Sequence, residues 1–387
     1  MCKSWTLVLL ALVVFVSSCA SATNPSSTES PRTSAPLTSP KEVAVAPQTT
    51  PDDEAWAKVV DAAKKEGVVV LYNVGLIGDA GMVIAEAFKQ KYGIKLELIG
   101  GTSPVMLERI KSEYRAGQYI GDFANLSFPR LVPLQTDGMT ASNKNLPVLR
   151  DRQAWSIFPL DMEPEGHLLA YTTTNTGPWI NTTLVKPDQE PTSWQDFLDP
   201  TWKGKIIAGD PGVYVGTTQL YYAMVTKSGR LTDDYFRKLG GQIKKFVAGG
   251  TVDVVAASAR GEGHINISAS KAGGAAMVSE GAPLKALRLK EGGMASLSNG
   301  WAQLSKSPHP NASKVFINWF LSVEGQTAWA KTRSDVSNRK DVPNFLPAAI
   351  KYDLNDLVLI SGPDELKVEK MYSEGFMSKL WKGESGK

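Results

Sequence analysis

Small polar residues follow several hydrophobic segments of this chain, and together they have the chemistry of a ligand-binding site. Gly101-Thr102-Ser103 offers backbone N–H groups, two hydroxyls and a helix start, which favours an anion or a ligand carboxylate. The glycine-rich loop 73–79 follows a predicted strand, and Gly216-Thr217-Thr218 repeats the pattern of a helix start. Each feature alone is also typical of a capped helix or of a loop without a ligand. Several of them together favour a binding site.

Two adjacent tyrosines, Tyr221 and Tyr222, carry the phenolate chemistry that suits Fe(III). Neighbours on a helix point about 100° apart because the helix has 3.6 residues per turn, so we favour packing in a core. His264 precedes a predicted strand, where a hydrogen-bonded polar role is favoured over metal ligation. Trp179 and Trp301 lie near segments predicted to join two domains, and either ligand contact or burial in a core fits them.

The composition excludes several classes of protein. The 387 residues are 42% hydrophobic and 21% charged, which is ordinary for a folded protein, and the net charge of +3 is too small to indicate a nucleic-acid surface. The two cysteines, Cys2 and Cys19, precede residue 20, which leaves the rest of the chain without a disulfide or a thiol nucleophile. A nucleophile elbow, a P-loop, an H-E-x-x-H motif and a dinucleotide fingerprint are all missing from the sequence. We therefore expect no enzyme, no cofactor and no bound metal.

The N-terminus has the pattern of a secretion signal. Lys3 is followed by an apolar run over 5–16, which is too short to span a membrane, and then by Val16-Ser17-Ser18-Cys19. This ending resembles the bacterial lipobox, whose cysteine is lipidated; an ordinary signal peptide that ends in Cys is the alternative. The sequence predicts a lipoprotein signal peptide at 1–18 and, at 19–52, lipidated Cys19 with a disordered Ser/Thr/Pro tether.

The folded part opens with alternating helices and strands. A helix capped by Asp52 or Asp53 ends at Gly67, and the continuous apolar run 68–72 predicts a strand covered on both faces. A second helix and a strand at 94–98 complete a βαβ unit, which implies a parallel sheet. Further helices are predicted at 103–114 (Ser103 as N-cap), 233–239, 252–259 and from Asn311 onward. Further strands are predicted at 123–126, 168–172, 205–208 and 265–267.

Three longer stretches resemble one family. Residues 66–73 match its opening strand, 191–206 match a P-x-S-W-x-D-L-x-D-P-x-W-K-G-K-I signature, and 308–326 match a P-H-P-x-A…F-L-S-x-E-G-Q helix pair. By these motifs the chain resembles bacterial ABC-transporter solute-binding lipoproteins of the type 2 periplasmic binding fold, in the branch that includes ferric-iron-binding proteins. The resemblance covers residues 53–387.

This resemblance implies an α/β fold of two domains, with mixed sheets, helices on both faces and an inter-domain cleft. Domain 1 is expected at 53–168 plus roughly 295–345, and domain 2 at 169–294 plus roughly 346–387. Ligands of open α/β sheets bind beyond the carboxyl ends of strands, and hinge closure would bury the ligand there. We therefore predict ligand contacts at Asn73, Gly75, Thr102, Ser103, Ser127, Thr217, Thr218, Ser268, Ser270 and Lys271.

The ferric members of this branch bind iron through a histidine or glutamate in an early loop and through a tyrosine pair in the second domain. Here the loop 73–79 has neither residue type, and the segment 267–271 that matches the pair is Ile-Ser-Ala-Ser-Lys. We therefore expect a small anionic solute, with a ferric-iron or iron-complex receptor as the alternative. A lipid-anchored sensor subunit or an extracellular enzyme is the second alternative.

The resemblance also implies the partners. We expect a monomer that binds a small molecule, contacts an ABC permease and ATPase complex, and is held outside the cytoplasm on a bacterial membrane by lipidated Cys19. Nucleic acid is not an expected partner.

Overall fold

The computed structural model describes residues 51–76, 78–297 and 299–383. The predicted signal peptide, Cys19 and all but the last two residues of the predicted tether lie outside these described residues. Helix α1 (Pro51–Glu66) has an acidic first turn and a basic last turn, both of which match the helix dipole. Gly67 follows with a φ of +71°, a conformation that favours glycine. The predicted first helix is confirmed, and it begins at Pro51, within the range predicted for the tether.

The remaining elements alternate along the described chain, as the sequence predicts. The other helices are α2 (Gly78–Tyr92), α3 (Ser103–Arg115), α4 (Phe128–Thr136), α5 (Val215–Tyr221), α6 (Asp233–Gly240), α7 (Thr251–Ala259), α8 (Lys271–Ser279), α9 (Pro310–Phe320), α10 (Val323–Arg333), α11 (Gly362–Ser373) and α12 (Phe376–Lys382). The strands are β1 (Val68–Asn73), β2 (Lys95–Gly100), β3 (Phe123–Ser127), β4 (Thr140–Ala141), β5 (Leu169–Ala170), β6 (Thr174–Asn181), β7 (Ile206–Gly209), β8 (Ile243–Val247), β9 (Ile265–Ser270), β10 (Leu284–Ala286), β11 (Gly293–Ser296), β12 (Asn299–Leu304) and β13 (Leu357–Ile360).

The strands form two mixed sheets within the described residues. The first sheet has the order β2-β1-β3-β12-β4, with β5 paired to β12, and β1 lies parallel to both β2 and β3. The second has the order β13-β11-β6-β9-β7-β8, with β10 paired to β6. Five successive residues of β1 are buried, which agrees with the continuous apolar run and with a strand covered on both faces. The predicted α/β fold and its parallel βαβ start are confirmed.

The chain passes between the two sheets three times. The first passage is 171–173, between β5 and β6; the second is 297–298, between β11 and β12; the third is 334–356, between α10 and β13. Strand β5 belongs to the first sheet and β11 to the second. The first two passages therefore lie two or three residues beyond the predicted boundaries at 168/169 and 294/295, and the domain ranges stay a prediction.

Each sheet has an aromatic core. Trp301 of β12 packs against Phe123, Phe316 and Phe320 beside the first sheet, and Trp194 packs against Phe236 beside the second. Burying side chains of this size stabilises a fold by roughly 1.5–3 kcal/mol each. The described residues belong to one compact unit by their contacts. In the described part of the chain, no helix is long and apolar enough to cross a membrane.

Candidate functional site

The carboxyl ends of β1, β2 and β3 lie together at one edge of the first sheet. Asn73 is in register with Gly100 on one side and Asn125 on the other. The Asn73 side chain is buried, and its Oδ1 accepts hydrogen bonds from the backbone N–H groups of Gly75 and Leu76 at 2.9 and 2.7 Å. This predicted ligand residue therefore fixes the shape of the loop after β1.

Gly75 is closely packed against the first passage between the sheets. A Cβ atom built at this glycine would lie 2.5 Å from the Tyr171 hydroxyl and 2.8 Å from Asn125 Nδ2, distances at which something must shift. Asn125 Nδ2 donates to Tyr171 Oη at 3.2 Å, and burial raises the pKa of Tyr171. Tyr171 thus connects the passage to the strand ends of the first sheet, a contact that the sequence analysis missed. The sequence feature that could have indicated this contact is Asn125, a polar residue within an apolar strand.

Ser103 joins two of the predicted loops. Its Oγ accepts the backbone N–H of Ser127 at 3.0 Å, which connects the start of α3 to the end of β3. The predicted N-cap is wrong by one residue, because Thr102 is the N-cap and makes no side-chain cap bond, while Ser103 is the first helical residue. The Ser103 hydroxyl accepts in this bond, so its own hydrogen stays available to a ligand.

The strand ends of the second sheet carry a comparable set of hydrogen bonds. Ser268 Oγ accepts the backbone N–H of Gly209 at 2.7 Å, and Thr217 Oγ1 donates to the Gly209 carbonyl at 2.9 Å. Both side chains are fully buried and fix the loop that follows β7. The Oγ1 of Thr218 is also buried and has no hydrogen-bond partner among the described residues. A buried hydroxyl without a partner is a candidate contact for a ligand.

Lys271 is 1% exposed and pairs with the carboxylate of Asp335. Its ammonium lies 5.7 Å from the centre of the Tyr352 ring. Burial lowers the pKa of Lys271, but Asp335 and Tyr352 more than offset this, and the pKa lies above its ordinary value. Lys271 therefore does not point to solvent. Its prediction as a ligand contact needs correction as far as charge is concerned, because Asp335 compensates the positive charge of Lys271.

One short segment contacts the chain directly after a strand in each of the two sheets. Arg333 Nη1 donates to the carbonyl of Gly75 at 3.3 Å, beside the first sheet. Two residues later, Asp335 pairs with Lys271, which follows β9 of the second sheet. Helix α10, which ends at Arg333, packs against α2. The loop after β1 and the start of α8, directly after β9, are therefore joined by the segment 333–335.

A buried carboxyl group lies near the second passage. Glu365 of α11 accepts hydrogen bonds from Gln219 Nε2 at 3.0 and 3.2 Å and from the hydroxyl of Ser296, the last residue of β11. Burial raises the pKa of Glu365 to about 7, and the nearby carboxylates of Asp364 and Glu369 act in the same direction. No basic side chain pairs with Glu365 within the described residues.

The remaining candidates are held in the packing of the fold. Tyr221 and Tyr222 are buried, and their hydroxyls donate to two different carboxylates, Asp233 and Asp364. Trp179 and Trp301 are each 1% exposed, which favours the core interpretation for both. Among the described residues no group of three or more His, Cys, Asp or Glu side chains could hold a metal ion.

Ser270 lies close to the first passage. Its Oγ accepts the backbone N–H of Ala272 at 3.4 Å and lies 3.4 Å from Thr174 Oγ1, at the start of β6. The strand predicted at 265–267 extends to this serine, so Ser268 and Ser270 both lie within β9. Eight of the ten predicted residues thus lie within or shortly after a strand, whereas Thr217 and Thr218 lie in helix α5. The role of all ten in binding a ligand stays a prediction.

Comparison with known proteins identifies the family of this chain. The sequence profile of the family described as "Bacterial extracellular solute-binding protein" matches residues 83–355, more than half of the chain. A comparison with curated protein sequences gave no match.

Solved structures of periplasmic binding proteins share the fold. The chain superimposes on Trichodesmium IdiA (FutA) in complex with iron and citrate with a TM-score of 0.62 and 19% identity, covering 81% of this chain and 98% of that one. Iron-bound HitA from Pseudomonas aeruginosa gives 0.60 and 18%, covering 80% and 99%. AfuA from Actinobacillus pleuropneumoniae, with bound fructose-6-phosphate, gives 0.55 and 20%, covering 79% and 97%. The predicted resemblance to the iron-binding-protein-like branch is confirmed at the level of the fold. At 18–20% identity, these structures say nothing about the ligand of this chain.

Proposed function

The chain belongs to the bacterial extracellular solute-binding protein family, and on this premise we propose that it captures a small anionic solute for an ABC importer. The family and its structural neighbours are solute-binding transport proteins and not enzymes. In the proposed mechanism the solute binds between the strand ends of the two sheets. Closure about the three passages buries it, and the closed form delivers it to a membrane permease.

The contacts of segment 333–335 carry this proposal. Arg333 binds the loop after β1, and Asp335 pairs with Lys271, the first residue of α8 after β9, so the strand ends of the two sheets share one short connecting segment. Ligands of open α/β sheets bind beyond the carboxyl ends of strands. A solute bound at these loops would touch both halves, and its binding free energy would favour the closed state over the open one.

Neutral hydrogen-bond donors support an anionic ligand. The first N–H groups of α3 have no intrahelical partner, and a helix N-terminus favours negative charge. The hydroxyl hydrogens of Thr102, Ser103 and Thr218 add donors on both sheets. Because Asp335 compensates Lys271, we assign anion recognition to these neutral donors.

The experiment that tests this proposal starts from the native protein. Mass spectrometry of what co-purifies identifies the solute, and small-angle scattering with and without it measures closure. We expect an anion, and a smaller radius of gyration when it is bound. The Ser103→Ala variant should bind it several-fold more weakly, while Ser373→Ala, at the exposed end of α11, should bind normally. Turnover of the solute without compaction contradicts the proposal.

Ferric citrate separates the iron alternative from this proposal. A phenolate-to-iron charge-transfer band on titration would favour a ferric receptor and contradict an anion receptor. We expect no such band, since Tyr221 and Tyr222 donate to separate carboxylates.

We also propose that lipidated Cys19 anchors the protein outside the cytoplasm. This proposal rests on the sequence Val16-Ser17-Ser18-Cys19, which resembles the bacterial lipobox. The Cys19→Ala variant should be recovered in the soluble fraction, and unchanged retention on membranes would contradict the anchor.

A further inference from the structure

A cavity of about 790 Å³ has none of the ten predicted ligand residues in its lining. Its volume is within the range of small-molecule sites, roughly 300–1,000 Å³. We call it the basic groove, because Arg288, Arg339, Lys340 and Lys351 line it together with one acidic residue, Asp353.

Three of the four basic side chains are free of acidic partners. Arg339 forms two hydrogen bonds to the Asp341 carboxylate, at 2.8 and 2.7 Å, so its charge is compensated. Lys340 donates only to a backbone carbonyl, and Arg288 to the carbonyl of Lys351. Arg288, Lys340 and Lys351 form no ion pair with any described residue. Against Asp353 alone, they leave the groove with an excess of positive charge.

The rest of the lining is mixed, with the polar side chains of Ser156, Ser337, Asn344 and Asn355 beside Tyr352 and an aliphatic part. Six aliphatic side chains contribute to it: Ile157, Ala295, Val336, Val342, Leu354 and Leu359. A small inorganic anion would use the basic groups and leave this apolar surface in contact with water. An organic anion with an apolar body would bury both kinds of surface, and burial of apolar area contributes roughly 25 cal/mol per Å².

The groove lies against the passages between the sheets. Ser156 and Ile157 precede the first passage, whereas Arg288 and Leu359 lie at or beside the second sheet. Most of its lining residues, from Val336 to Asn355, belong to the third passage. Within that passage, Asn338 accepts a hydrogen bond from the Thr173 hydroxyl and its carbonyl accepts the N–H of Ser156. A ligand in the groove would therefore contact both halves beside the connections that must bend on closure.

We propose that the basic groove is a second ligand site, for an organic anion that combines an acidic group with an apolar body, and that its occupancy changes the closure of the two halves. Arg288 and Lys351 bind the acidic group, and the aliphatic lining receives the body. None of the ten predicted ligand residues lines the groove, and the ring of Tyr352, which does, lies 5.7 Å from the ammonium of one of them, Lys271. The proposal does not depend on whether those ten residues bind the transported solute.

The probe for this site is 1-naphthyl phosphate, with inorganic phosphate as the comparison, measured by calorimetry on the purified protein. We expect the naphthyl ester to bind more tightly than phosphate and to weaken as salt is added, since the basic groups are exposed. The double variant Arg288→Gln/Lys351→Gln should lower its affinity by about tenfold or more. The matched variant Lys64→Gln/Lys65→Gln removes the same charge from exposed positions of α1 and should leave it unchanged.

Three results would overturn the second site. One is the absence of binding by the naphthyl ester, and another is an equal loss of affinity in the α1 control, which would show that only net charge matters. The third is a loss in Ser103→Ala that matches the loss in the groove variant, because the probe would then bind at the strand ends. A crystal structure with the probe gives an independent position. Failure of Ser103→Ala to affect the co-purifying solute, by contrast, would contradict the proposed function and leave the groove unaffected.

Discussion

At the scale of single residues, the candidate site contains the buried ion pair Lys271–Asp335. Both side chains are buried, and each would be an uncompensated charge without the other. Removing one partner of such a pair typically costs about 3–5 kcal/mol, whereas replacing both with apolar groups is often neutral. The pair therefore holds the end of β9 against the third passage.

We expect Lys271→Met to lower the free energy of unfolding by about 3 kcal/mol or more, because Asp335 is left buried and unpaired. The double variant Lys271→Met/Asp335→Leu should recover most of that loss. Urea denaturation of both variants and of Asp335→Leu alone completes a double-mutant cycle. Additive effects of the two substitutions would show that the pair is not coupled.

Glu365 makes stability depend on pH. Its pKa in the folded protein, about 7, lies above the ordinary value of 4.5, so the folded state binds the proton more tightly than the unfolded state. This group thus favours folding below about pH 4.5, and that contribution, on the order of 3 kcal/mol, is lost as the pH rises towards 7.

The Glu365→Gln variant tests this directly. It keeps the hydrogen-bonding shape but cannot ionise, so it should be more stable than the natural chain at pH 8 and differ little at pH 5. Thermal melting between pH 5 and 8 measures the difference. Glu374→Gln, which removes the partner of Lys370 at the exposed end of α11, is the control and should leave the pH profile unchanged. Identical profiles for Glu365→Gln and the natural chain would contradict the role of Glu365.

Sequence could predict which residue types gather at the strand ends, but not their partners. Ser103, Ser127 and Ser268 follow apolar segments, and that local pattern was enough to select them. The pairing of Lys271 with Asp335 joins residues 64 positions apart and depends on how α10 packs, which no local pattern encodes. Tyr171 and Arg333 were missed for the same reason.

At the scale of elements, Asp122 connects three parts of the first sheet. Its buried carboxylate accepts hydrogen bonds from the backbone N–H of Val70 in β1, from the Ser307 hydroxyl, and from the backbone and ring N–H groups of His309 at the start of α9. The distances run from 2.6 to 3.0 Å. The P-H-P stretch of the sequence therefore has a structural role, namely to fix α9 against the sheet.

We expect Asp122→Ala to destabilise the protein by at least about 2 kcal/mol, since buried donors lose their acceptor. Asp137→Ala, at the exposed end of α4, removes a carboxylate that pairs with Lys111 and should cost less than about 1 kcal/mol. Urea unfolding of both variants makes the comparison. Equal effects of the two substitutions would mean that the Asp122 bonds contribute little.

The elements themselves were largely predictable because hydrophobic periodicity is local. The runs 68–72 and 123–126 are strands, and the first helix ends where Gly67 adopts a positive φ. The second sheet was harder, since its order places β9 between β6 and β7 and β13 beside β11. Those pairings join strands from distant parts of the chain, and composition alone cannot decide between the possible strand orders.

At the scale of the whole molecule, the three passages determine which motions are available. Two of them, 171–173 and 297–298, are short, while the third, 334–356, carries both Asp335 and the residues of the basic groove. Two short connections favour rotation of one half against the other about a narrow hinge. The strand-end loops lie at the carboxyl ends of both sheets, where such a rotation would change their separation.

A pair of spin labels can measure this rotation. Val105 of α3 and Val213 after β7 are 58% and 54% exposed, and each follows the carboxyl end of a strand, one in each sheet. With Cys2 and Cys19 replaced by serine, labels on Val105→Cys and Val213→Cys should come closer by several ångströms when the co-purifying solute is added. The control pair Met82→Cys and Val105→Cys lies on helices of the first sheet only and should keep its distance. An unchanged distance in the first pair, at solute concentrations that calorimetry shows to be saturating, would mean that binding does not close the two halves.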